Sequence, residues 1–234
     1  MVGHTYEYHP AVDFLAQATK RGEFGEIYGI DSDRLNLGLF RPDVNVLWDL
    51  APHDICIVLS LLNEEPVAVS ARGSYHFNPK TLDVAYLDLL FANGTIAHIH
   101  ASWLHPRKIR QTTIIGSRKM AVYDDVSETE KIVIYDKGVV IPGKSDDKFS
   151  AWPPNYRYGD VIMPLISNAE PLKLECAHFI KCIAEGKQPK SDGWSGLKVL
   201  NVLEAADQSV ANGGQRVKVT AVMSETGRVT SAAR

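Results

Sequence analysis

From Pro66 to about Asp136 apolar and polar residues alternate with a period of two, and this stretch most limits what the chain can become. Successive side chains of a strand point to opposite faces, so the alternation builds a sheet with one apolar and one polar face. The runs are Val67 to Tyr75, Val84 to Phe91, Thr95 to Trp103, Ile109 to Ile115, Ala121 to Asp124 and Lys131 to Tyr135. Turn residues separate them at Asn78-Pro79, Asn93-Gly94, His105-Pro106 and Gly116-Ser117. Asn-Gly between two alternating runs is a strong hairpin signal, and the whole reads as a largely antiparallel sheet.

Helical periodicity flanks this block. After Pro10, the residues Ala11, Phe14, Leu15 and Ala18 share one face until Gly22 and Gly25 stop the helix. Ile27 to Leu35 reads as a strand and is followed by a polar loop through Gly38, Pro42 and Asn45, a kind of loop that tends to carry chemistry. In Trp48 to Leu62, Ile55, Leu59 and Leu62 keep helical spacing. Proline is tolerated in the first turn of a helix, so Pro52 predicts a start between Asp49 and Pro52. Residues 137–170, rich in Gly, Pro, Asp and Asn, read as a long ordered excursion over the surface. The tail reads as helices over Pro171 to Glu185 and Gly193 to Asn212, closed by Gly186 and Gly213-Gly214, and a short strand over Arg216 to Val219. Met1 to Thr5 reads as the end of a strand.

One sheet with helices on a single face is an α+β layer arrangement that leaves the other face open. On the run from Ile96 to Trp103, Ala97, Ile99, Ala101 and Trp103 share one side, and Ile96, His98, His100 and Ser102 the other. A broad, half-polar face of that kind suits a subunit interface, and a homo-oligomer is expected.

With 234 residues, 45% hydrophobic and 23% charged, the chain holds one large domain or two small ones. Its net charge of −3 and scattered Lys and Arg exclude the basic footprint of a nucleic-acid binder. No apolar stretch reaches the roughly 20 residues of a membrane helix, and no signal-peptide layout opens the chain, so it reads as cytoplasmic. Cys56, Cys176 and Cys182 follow no metal-ligand spacing and read as buried free thiols, and no metal is expected.

Asp49 and His53 stand four residues apart, which in a helix places a carboxylate and an imidazole on one side, within reach of a hydrogen bond. At a helix N-terminus the dipole disfavours an imidazolium while the neighbouring acid favours it, and the balance holds the histidine near neutrality. That suits a general acid or base taking the hydroxyl proton of an alcohol as hydride leaves its carbon. The plainer alternative makes Asp49 an N-cap and His53 a first-turn histidine bonded to it. His98 and His100 share a strand face without a nearby Cys, Asp or Glu to complete a zinc shell, and read as polar interface residues. Asp124-Asp125 and Asp146-Asp147 read as solvated turns. No phosphate-cradling glycine motif and no nucleophile elbow is present, so cofactor binding by the chain alone and hydrolase chemistry lack support.

Several segments, taken in order, resemble a known family. They are Val2-Gly3-His4, Tyr8-His9-Pro10-Ala11, Gly22 to Tyr28 (GEFGEIY) and above all Val46 to Ile55 (VLWDLAPHDI). Further along come Ala97 to Leu104 (AHIHASWL), Gly116-Ser117, Met120 to Asp125 (MAVYDD), and Leu174 to Phe179 with Asp192-Gly193 beyond. They resemble the C-terminal domain of Gfo/Idh/MocA oxidoreductases, the glucose–fructose oxidoreductase and inositol dehydrogenase kind. The resemblance implies that residues 1–234 are one substrate-binding and oligomerisation domain, with residues 1–5 the remnant of the last strand of an absent N-terminal Rossmann domain. NAD or NADP would be held mainly by that missing domain, without which this chain would be inactive. The resemblance implies a secondary alcohol of a sugar, nucleotide sugar or cyclitol as substrate, with His53 the general acid/base and Asp49 its orienting partner. It places Arg34, Asn36, Asn45 and Trp48 near the same substrate. A free-standing, non-catalytic module that binds a ligand or serves assembly is the alternative from another class.

Overall fold

The computed structural model describes residues 1–140 and 155–222. A 3-10 turn over Thr5–Tyr8 leads into α1 (Pro10–Lys20), β1 (Ile27–Leu37) and α2 (Val46–Leu62). The alternating block follows as β2 (Ala68–Ser74), β3 (Val84–Leu90), β4 (Ile96–Ser102), β5 (Leu104–Gly116), β6 (Met120–Asp124) and β7 (Ile132–Val140). After it come β8 (Asn155–Ile162), α3 (Pro171–Glu185), α4 (Gly193–Ala211) and β9 (Val217–Lys218). The strands form one nine-stranded mixed sheet in the order β8-β7-β6-β5-β1-β4-β3-β2-β9. Among the described pairings, β1 with β4 is parallel and the others are antiparallel.

The period-two pattern sorts the two faces as expected. Ala85, Leu87, Leu89, Ala97, Ile99 and Ala101 are each 0% exposed beneath the helices, whereas Tyr86 and Ile96 on the opposite face are 44% and 47% exposed. Helix α2 lies over β4 and β1, α4 over β2, and α1 leans on α2. The β3–β4 hairpin turns at Gly94, whose φ of +89° suits a residue without Cβ. Among the described residues no helix is long and apolar enough to cross a membrane.

Four expectations about elements are corrected. Residues 1–4 form no strand, because Val2 N–H donates to the Ser191 carbonyl at 2.8 Å and the chain then tightens into the 3-10 turn. Helix α2 begins at Val46, ahead of the predicted window, because the Asn45 side chain caps it by accepting the Trp48 N–H at 3.1 Å. Pro52 therefore lies inside the helix, and its missing N–H leaves the Trp48 carbonyl without the usual intrahelical donor. His105-Pro106 does not end a strand: β5 shifts register between Leu35 and Leu37 of β1, and Pro106 falls in that irregularity, where no ladder donor is needed. Residues 137–140 and 155–162, expected in a surface excursion, are instead an antiparallel strand pair at the edge of the sheet. Asp146 and Asp147 lie outside the described residues.

Candidate active site at the start of helix α2

The site is organised around a buried ion pair. Arg34 on β1 points under α2 and meets Asp54, with Nε to Oδ2 at 2.5 Å and Nη2 to Oδ1 at 3.2 Å. Ser32 Oγ donates to the same carboxylate at 2.9 Å. The third guanidinium nitrogen donates to the Tyr6 hydroxyl at 3.0 Å, and the guanidinium lies 4.5 Å over the Tyr6 ring. Burial alone would lower the pKa of Arg34, but Asp54 and Tyr6 outweigh it and raise it. Expected among the substrate contacts, Arg34 is 4% exposed and has every nitrogen engaged, so it supports the site from below.

His53 sits on top of this arrangement. Its ring lies 5.3 Å from that of Tyr6, and among the described residues no hydrogen bond engages it. Burial, then the charge of Arg34, pulls its pKa down to about 4, with Arg110 and His4 adding and Asp54 opposing. The expected titration near neutrality is thus corrected: at pH 7 this is a neutral imidazole with a nitrogen able to accept a proton.

Asp49 shares the helix side but not a bond with His53. Its Oδ2 accepts the Trp103 indole N–H at 3.0 Å, and its Oδ1 lies 3.4 Å from Arg41 Nη1. The expected Asp49–His53 hydrogen bond is not made; the Asp49 carboxylate is turned instead towards the indole that follows β4 and the loop arginine. Asn45 is spent as the helix cap. Trp48 donates its indole N–H to Asp207 of α4 at 2.6 Å. Asn36 is exposed near the end of β1, opposite the irregular stretch of β5.

Two hollows are lined by neighbours of His53, one by Tyr6 and the other by His4 and Pro52, but neither by His53 itself. One, of about 620 Å³, is lined mainly by apolar groups, among them Val2, Trp48, Pro52, Trp194 and Leu200, with His4 at its side. The other, of about 670 Å³, is more polar and includes Tyr6, His9, Asp125, Lys131 and Asn168. The apolar hollow could receive the face of a flat ring, but it offers no glycine-rich strand-to-helix turn to hold a pyrophosphate.

Tyr6, Asp125 and Arg110 went unmarked as site residues in the sequence. Asp125 is no solvated turn residue: it accepts from Tyr6 OH and Tyr123 OH at 3.0 Å each and lies 3.5 Å from His9 Nε2. Burial would raise its pKa, but the Tyr6 and Tyr123 hydroxyls hold its carboxyl below the usual range. Burial likewise lowers the pKa of His9, against the pull of Asp125. On the open sheet face, acids do stand beside the paired histidines: His98 meets Asp88 at 2.8 Å and His100 lies 3.5 Å from Asp33.

Residues 13–122 match the family model described as the GFO/IDH/MocA C-terminal domain. Over 204 residues the chain is 29% identical to UDP-N-acetylglucosamine 3-dehydrogenase of Acidithiobacillus ferrooxidans, which covers 85% of this chain and 58% of that protein. A solved structure of UDP-N-acetylglucosamine 3-dehydrogenase from the same organism superposes with a TM-score of 0.70 at 26% identity, covering 92% of this chain and 63% of that one. Levoglucosan dehydrogenase in complex with NADH superposes with a TM-score of 0.74 over 95% of this chain and 66% of that one. At 20% identity this second likeness concerns the fold alone. The chain thus spans about three fifths of the length of the dehydrogenase relative from Acidithiobacillus.

Proposed function

We propose that this chain, whose residues 13–122 match the GFO/IDH/MocA C-terminal domain model, forms the substrate side of an NAD(P)-dependent oxidoreductase. Its substrate is a secondary alcohol of a sugar, nucleotide sugar or cyclitol. The dehydrogenase relatives support this class, and the likeness to a sugar-nucleotide dehydrogenase favours a substrate of that size.

One observation carries the mechanism: a neutral imidazole, partly exposed and without an internal hydrogen-bond partner among the described residues, stands over an anchored tyrosine that itself lines a polar hollow. His53 accepts the hydroxyl proton as the carbinol carbon is oxidised. When bound, the nicotinamide supplies the acceptor for the departing hydride. Tyr6 fixes the His53 ring from below, and its own position is set by Arg34 and Asp125. Asp49 acts at one remove from the imidazole: by holding the Trp103 indole and Arg41 it sets the loop between β1 and α2 that borders the substrate. Asn36 and the rim of that loop are the groups open to substrate hydroxyls.

A second, nucleotide-holding lobe completes the site. The relatives' greater length supports this, as do the exposed apolar side chains Leu174, Phe179, Ile183, Trp194 and Leu200 on α3 and α4. The open sheet face, with Asp33, Tyr86, Asp88, His98 and His100, is the surface through which copies associate.

The test is kinetic. In an enzyme containing both lobes, His53→Ala is expected to lower kcat by about 10²–10⁴-fold with little change in KM. Unchanged turnover would remove the proton-transfer role. NADH titrated against this chain by itself should bind more weakly than about 1 mM, and tighter binding would overturn the assignment of the cofactor to another lobe.

A further inference from the structure

On the side of α2 away from the Asp54 ion pair, three side chains from two elements converge. His4 Nδ1 lies 3.3 Å from Glu7 Oε1, and Cys56 Sγ lies 3.3 Å from the same oxygen. The nitrogen, oxygen and sulfur all lie within 4.8 Å of one another. We propose that His4, Glu7 and Cys56 are the ligands of a single zinc-class divalent cation.

The spacing carries the argument. With zinc bonds of about 2.0–2.1 Å to nitrogen or oxygen and about 2.3 Å to sulfur, a tetrahedral shell puts neighbouring ligand atoms about 3.3–3.6 Å apart. The two edges that meet at Glu7 Oε1, 3.3 Å each, match that spacing, and the third, between His4 and Cys56, is at most 4.8 Å and closes as the ion draws the ligands in. Imidazole, carboxylate and thiolate together form a donor set that selects zinc and its neighbours over magnesium or calcium. Ser195 Oγ donates to Glu7 Oε1 at 3.0 Å and fixes the carboxylate from outside the triangle. Solvent reaches the group from two sides, because Glu7 and Cys56 border one hollow and His4 borders another.

Without an ion, the Cys56 thiol donates to Glu7 Oε1 at 3.3 Å. Binding replaces that proton: the S–H bond breaks, the sulfur binds the cation, and one proton passes to solvent. Two anionic ligands then neutralise the doubly charged ion. The fourth position is left to water. The ion ties the 3-10 turn, which carries Glu7 and begins after His4, to the middle of α2, so its effect is on the firmness of that junction.

Cobalt(II) is the probe, because a cobalt–thiolate bond gives a near-ultraviolet charge-transfer band. Titrating the metal-free full chain with Co²⁺ is expected to give this band at one equivalent, with loss on adding Zn²⁺ and about one proton released per ion. Cys56→Ser should abolish the band and Cys182→Ser should leave it. Cys56 is buried, so Glu7→Gln, with its shape kept, is the second variant. It should weaken Zn²⁺ binding by more than the roughly 10–100-fold that loss of a supporting partner costs. No band up to about 1 mM Co²⁺, a band that survives in Cys56→Ser, or a Glu7→Gln affinity equal to that of the parent would each overturn the site.

Discussion

Ile99 and Val161 are both aliphatic residues in strands of one sheet, yet the first is 0% and the second 51% exposed. Ile99 belongs to the half formed by β1, β4, β3 and β2, which α2 and α4 cover, so one side of each strand is sealed and the sequence alternates sharply. Val161 lies on β8, exposed along almost its whole length. There the strand is held by its ladder to β7 more than by apolar burial. Period-two patterning is therefore a signature of a covered face, and a strand with little cover need not show it.

That contrast can be broken at its strongest point first. Arg34→Met would leave Asp54 buried beneath α2 without its partner and is expected to cost about 3–5 kcal/mol in urea unfolding. Adding Asp54→Leu should recover much of the loss, since the pair then disappears together. Next, Ile99→Ala should cost about 2–5 kcal/mol, while Val161→Ala should stay within about 0.5 kcal/mol. Equal costs for the two would mean that the outer edge is covered as well as the inner half. A pH effect separates the site from the core. Because His53 in the folded chain titrates near 4 rather than 6.5, the unfolded chain binds the proton first as pH falls. Stability should be intact above about pH 6.5 and decline towards pH 4, by at most about 3 kcal/mol before allowing for the partial exposure of the ring. His53→Asn should flatten that slope without abolishing it, because burial lowers the pKa of His9 in the same direction.

Where residues answer to local rules, the sequence was readable. Pro10, Gly186 and the Asn93-Gly94 turn sit where a helix start, a helix end and a hairpin need them, and the strands from β2 to β4 follow from alternation. What escaped depends on partners distant in the chain. Asn45 caps α2 and so moves its start, although Pro52 argued for a later one. Asp125 looks like a turn residue until Tyr6 and Tyr123 arrive from other elements. Asp49 and His53 have the right spacing for each other, but Trp103 and Arg41 offer the carboxylate competing donors that spacing cannot reveal. Cys56 gives no ligand spacing with the other cysteines, since His4 and Glu7 reach it across a gap of about fifty residues in the chain.

The position of β1 between β4 and β5 governs the order in which this molecule can be assembled. As the chain leaves the ribosome, β1 emerges long before either neighbour and must wait, with both edges bare until Ile96–Ser102 has been made and one edge bare until Leu104–Gly116 has followed. Closing those long loops delays the central contacts, so folding should be slow, with the interval before β5 appears the period of greatest exposure to aggregation.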